Sequence, residues 1–208
     1  MKRTSTTGLL LLLMCGPSAA QTQTPSQNKS VPQTYTTAEY NAYQAAAAEK
    51  DPARLVILVD DFVSRYPESS LLVYVYPLCS AGYLQLKNYP KVFECADKLV
   101  QIGDKADVAA RYAALYTAAT AYNNMDSSDS VLAARARKMA LTGVELLRSL
   151  RRPDLLDERG FEAEKKRAAI YLQATAGRAA IEMKDYPGAT NAFRAVIALD
   201  AVGIVTSR

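Results

Sequence analysis

From Thr36 onward, apolar residues recur three and four positions apart. No stretch shows the strict two-residue alternation of a strand bounded by turn signals. The pattern predicts eight helices, over 37–49, 52–65, 70–86, 90–102, 106–123, 129–149, 157–183 and 187–199. The breaks between them are chemically explicit. Pro52, Pro90 and Pro187 each stand in a first turn, where a missing N–H costs nothing. Tyr66-Pro67-Glu68-Ser69 stops one helix and offers Ser69 as the cap of the next. Only the third pair of helices has a long polar connection, 123–128.

Two of the turns repeat. Leu86-Lys87-Asn88-Tyr89-Pro90 aligns with Met183-Lys184-Asp185-Tyr186-Pro187. Beyond them, Val92, Ala96, Leu99 and Ile102 match Ala189, Phe193, Val196 and Leu199, so both following helices carry the same apolar stripe. Before them, Cys79, Ser80 and Tyr83 match Ala176, Gly177 and Ala180, where small residues allow close approach. The first pair ends at Pro67 and the second at Asp104, about 37 residues on, near a helical-repeat period.

This organisation resembles the tetratricopeptide-repeat (TPR) family. The last unit carries the resemblance best: Gly177, then the Asp185-Tyr186 turn, then Ala189, Phe193 and Val196, closing on Leu199-Asp200, with Ala201 in place of the family's final Pro. The second unit matches at Tyr76, Tyr83, Tyr89, Leu99 and Ile102, and the first at its Phe62–Ser69 exit; the third fits poorly. The expected fold is all-α: an α-solenoid of about four antiparallel, TPR-like helix pairs over 36–201, followed by a tail, 202–208.

The resemblance implies binding of a protein or peptide in a groove lined by the first helix of each pair. The family's inward slots fall on Tyr74, Pro77, Leu78, Ala81 and Gln85 in the second unit. In the last they fall on Tyr171, Ala174, Thr175, Arg178, Ile181 and Glu182. Arg178 and Glu182 are four apart, so pairing with each other on a solvated face is the competing reading. In the third unit Tyr112 and Tyr116 share a face; they suit a binding surface, and packing between neighbouring pairs is the favoured competing reading.

The first residues are of another kind. Lys2 and Arg3, the apolar run from Leu9 to Met14, and the small residues Ser18-Ala19-Ala20 make 1–20 an export signal, too short to span a membrane. Lipid attachment at Cys15 is disfavoured, because Met14 stands where such signals carry a small residue. A Thr-, Ser-, Gln- and Pro-rich linker follows over 21–35. The expected location is periplasmic or extracellular. The apolar residues after Asp200 give the stack no polar cap, so the open end is expected to self-associate, unless a partner covers it or the array is longer.

Composition narrows the chemistry. The chain has 208 residues and no His, which excludes His-dependent triads and most zinc sites. Nine glycines are few for a nucleotide-binding fold. The formal charge of +4 includes two charges in the export signal and is too small to indicate nucleic acid. No cofactor or metal is implied. Cys79 and Cys95 lie on the two helices of one pair. They fit a disulfide in an exported protein, but fit the apolar stripe better as buried thiols. Asp60 and Asp61 point about 100° apart on a helix and do not converge. Asp157 and Glu158 open a helix and favour its dipole. Arg135 and Arg137 belong to a basic stretch but not to one face. The sequence thus points to an exported, non-enzymatic scaffold. The alternatives are a structural subunit of an envelope assembly, or a carboxylate-based hydrolase on a helical frame.

Overall fold

The computed structural model describes residues 34–126, 129–154 and 156–205, the last four of these through their backbone. The expected export signal, 1–20, and residues 21–33 of the expected linker lie outside the described residues. Among those described, the fold is all-α and holds no strand. The helices are α1 (Thr37–Ala48), α2 (Pro52–Arg65), α3 (Leu72–Gln85), α4 (Tyr89–Ile102), α5 (Val108–Asn123), α6 (Ser130–Leu147), α7 (Glu158–Glu182) and α8 (Tyr186–Val205). A single 3-10 turn, Gly103–Lys105, follows α4.

Side-chain caps fix most of the helix starts. Thr36 and Glu39 form a reciprocal capping box at α1. Asp51, Asn88, Asp107, Asp129 and Asp157 accept backbone N–H groups at α2, α4, α5, α6 and α7. The start of α3 differs from expectation. Ser69 caps only the turn before it, accepting the Leu71 N–H at 3.2 Å, and the helix begins at Leu72 without a side-chain cap.

The two repeated turns share one backbone. Lys87 and Lys184 both adopt left-handed conformations, φ 57° and 59°. Asn88 N donates to Tyr83 O at 2.9 Å and Lys87 N to Leu84 O at 3.0 Å; Asp185 N donates to Ala180 O at 2.8 Å and Lys184 N to Ile181 O at 2.9 Å. This is the Schellman closure, which satisfies the last carbonyls of a helix and reverses the chain within a few residues. Asn88 and Asp185 then turn their side chains to the next helix, accepting from Lys91 N and Gly188 N.

Each helix packs against the next, in a solenoid-like succession of pairs. The odd-numbered helices also touch one another, α1 with α3, α3 with α5 and α5 with α7; the even-numbered ones meet weakly or not at all. The odd layer therefore lies on the inside of the curve. Burial of Phe62, Phe93, Leu99, Leu115 and Leu172 between the layers removes each of them almost entirely from water. Each such side chain contributes roughly 1.5–3 kcal/mol. Gly177 permits a close approach of α7 and α8: a Cβ there would stand 2.7 Å from the Phe193 ring.

Two further features concern the third pair and the C-terminal boundary. The third pair forms despite its poor register, because Ala133, Ala136, Ala140 and Gly143 give α6 a small-residue face against its neighbours. The expected tail from 202 is instead helix as far as Val205. The physical reason is α7, whose 25 residues lie alongside these last turns; Lys166 Nζ reaches Asp200 O at 3.3 Å.

Candidate partner-binding face

The inner layer is unusual for a surface. A partly exposed helix normally carries charge on its solvent side. α3 carries no charged residue at all, although Tyr74 is 55% exposed and Gln85 is exposed as well. α1 has only Glu39, whose carboxylate accepts the Thr36 N–H. α5 has only Arg111, held by Asp104 at 3.1 Å. Most helix charges lie instead on α2, α4, α6 and α7, with Arg194 and Asp200 on α8.

Tyrosines fill the neutral layer. Tyr35 stacks on Tyr40 with centroids 5.8 Å apart, Tyr40 lies 6.5 Å from Tyr43, and Tyr43 crosses to Tyr74 on α3 at 5.9 Å. Thr34 Oγ1 donates to Ser70 Oγ at 2.8 Å, which ties the entry of the chain to the start of α3. Pro77, Leu78 and Ala81 continue along α3, half-buried. Sequence reasoning found Tyr74 but missed Tyr35, Tyr40 and Tyr43. Their three- and five-residue spacing was a signal, unread because the first unit lacked a register.

The second group is more closely packed. Tyr112 and Tyr116 lie 6.0 Å apart on α5, and Tyr116 meets Tyr171 of α7 at 5.0 Å. Burial pushes the Tyr112 and Tyr116 phenols well up; the neighbouring phenol, then Glu164, adds to this. Tyr171 Oη donates to Thr120 Oγ1 at 3.4 Å. Here packing between pairs accounts for the rings.

Arg178 and Glu182 pair with each other at 3.3 Å, the competing reading of their spacing, and Arg178 also donates to the carbonyls of Asn123 at 3.1 Å and Met125 at 3.0 Å. Its guanidinium lies over the Tyr122 ring, whose hydroxyl donates to Glu182 at 2.6 Å. The pair closes the C-terminal end of α5, where backbone carbonyls favour a cation. Thr175 accepts from Asn123 at 2.7 Å in the same seam.

Cys79 and Cys95 come together across α3 and α4, their Cα atoms 6.0 Å apart and their sulfurs at bonding distance. The acidic groups take structural partners. Asp60 accepts from Tyr83, Asp61 pairs with Arg65, and Glu158 with Arg152. The basic stretch is likewise engaged, Arg135 with Asp97 and Arg137 with Asp185. Among the described residues no cluster of His, Cys, Asp or Glu could hold a metal ion, and no helix is long and apolar enough to cross a membrane. No family model, no curated protein and no solved structure matches this chain.

Proposed function

We propose that this chain is an exported, non-enzymatic scaffold of TPR type that binds a protein or peptide partner along its odd-helix face in the cell envelope. One observation carries the reading. α1, α3 and α5 are depleted of charge where they meet solvent, and α1 and α3 display Tyr40 and Tyr74 there. Cores of protein interfaces are depleted of charge in the same way and enriched in aromatic residues. The export signal and the Cys79–Cys95 proximity agree with an oxidising compartment.

A second reading, a structural subunit of a larger assembly, draws on α8. Tyr186, Phe193 and Ile197 are exposed on one side of that helix. Affinity capture from envelope extract with the mature chain tests both. Loss of the captured partner on Tyr74→Ala supports the inner face. Loss on Ile197→Lys alone supports the α8 surface. Retention by both variants overturns both readings.

A further inference from the structure

The two ends of the stack are open, and the covered junctions inside it show what fits them. We infer that the chain binds a second copy of itself head to tail: the α8 end of one copy receives the α1–α2 end of the next, as α4 receives α5 and α6 within the chain. The inference rests on the assembly reading above and names the neighbour. It makes no use of the tyrosines of the inner layer.

At the C-terminal end, the repeated turn sets Leu84, Tyr89, Ala96 and Val100 against Ile181, Tyr186, Phe193 and Ile197. In the second pair, which α5 covers, Ala96 is buried and the other three are half-buried against the core. The last pair has no helix beyond it among the described residues. There all four counterparts are exposed, Tyr186 by 65% and Ile197 by 67%. A pair of helices buries such a face only against a neighbour.

At the N-terminal end, burial extends the same register. Leu55, Val59 and Phe62 of α2 match Ala136, Ala140 and Gly143 of α6, and Ala42 and Ala46 of α1 match Cys79 and Tyr83 of α3. Ala45 therefore takes the place of Gly82, where a Cβ would stand 2.9 Å from Val56 of the preceding helix. Ala38 takes the place of Val75, which is buried. No helix precedes α1 among the described residues, and both alanines are exposed. One end thus offers large apolar side chains, and the other a small-residue face that allows close approach.

Charge agrees with the match. Where α4 meets α6, Asp97, Val100, Lys138 and Thr142 line one cavity of about 140 Å³. Their counterparts at the open ends are Arg194 and Ile197 on α8, and Ile57 and Asp61 on α2. Stacking a second copy sets Ile197 beside Ile57, which is also 67% exposed, and Arg194 beside Asp61. Arg194 has no ion pair with the described residues. Asp61 holds Arg65 through Oδ2 and can accept a second cation through Oδ1. Arg54, the counterpart of Arg135, has Asp51 beside it at 3.8 Å.

Sedimentation velocity of the mature chain over a range of concentrations tests this. Each contact leaves one free end of each kind, so association should continue past the dimer as concentration rises. Ile57→Lys blocks one end and Ile197→Lys the other. Each should move association to concentrations at least about tenfold higher. Mixed in equal amounts, the two variants should form a dimer and nothing larger, because one intact junction remains. Arg194→Asp should weaken association, and Arg194→Asp combined with Asp61→Arg should restore it. All four positions are exposed, so helical circular dichroism should stay unchanged.

A chain that stays monomeric at every concentration, or stops at a dimer, overturns the inference. So does a mixture of the two lysine variants that forms no dimer, or a charge exchange that restores nothing. If the chain stays monomeric while Ile197→Lys still abolishes capture of an envelope partner, self-stacking is wrong and the α8 surface serves another protein. If Ile197→Lys changes neither measurement, both fall.

Discussion

Lys87 and Lys184 occupy a backbone region that a Cβ disfavours, and both are exposed. Neither side chain is needed by the turn, which is closed by backbone hydrogen bonds. Lys87→Gly and Lys184→Gly should each stabilise the fold by about 0.5–1 kcal/mol, after the greater freedom of unfolded glycine is subtracted. Urea denaturation measures this as a raised midpoint; an unchanged or lowered midpoint would show that the lysines contribute contacts not described above. The sequence shows that these two pentapeptides correspond. It does not show the left-handed residue, because lysine is no marker of that conformation as glycine is. Arg178 and Glu182 pair with each other, as their four-residue spacing allows. The spacing does not show the carbonyls of Asn123 and Met125 that also engage Arg178, because they lie more than fifty residues away. Tyr40 and Tyr43 share their spacing with core residues, and only the contact with Tyr74 separates surface from core.

At the scale of elements, all eight helices are legible in the chain, since amphipathic period, Pro starts and Asp caps agree. The start of α3 shifts because Ser69 serves the preceding turn, and the end of α8 shifts because its support comes from a neighbour's length. Neither cause is local, so neither can be read from a window of sequence. The α3–α4 pair carries the cysteines, separated by 16 positions. A crosslink closing a loop of that size stabilises a fold by about 3 kcal/mol, chiefly by restricting the unfolded chain. Cys79→Ala combined with Cys95→Ala should therefore lower the unfolding free energy by about 2–4 kcal/mol. The unfolded, non-reduced parent should take up no maleimide at either position. Labelling of both cysteines there would show two free thiols packed as small apolar groups.

For the molecule as a whole, tyrosine sets the response to alkali. Burial is the largest cause raising the phenols of Tyr76, Tyr83, Tyr112, Tyr116 and Tyr122; Asp60 adds to it at Tyr83 and Glu182 at Tyr122. An unfolded tyrosine ionises near pH 10. Below that value both states hold the proton and stability is intact; above it the unfolded chain releases protons that the folded chain retains. Stability should fall steeply above about pH 10. Tyrosinate absorbance from these residues should then rise together with loss of helical circular dichroism. Ionisation of all thirteen tyrosines with the helices intact would contradict this. The contact between odd helices has a consequence for geometry. Interaxial distance follows the size of the side chains between two helices. α5 is rich in alanine, with Ala114, Ala118, Ala119 and Ala121 all buried, and the contact between odd helices is most extensive where α5 meets α3. The radius of the arc is therefore a function of side-chain volume on one helix. Each methyl group absent from α5 shortens the inner circumference while the outer one stays free to splay.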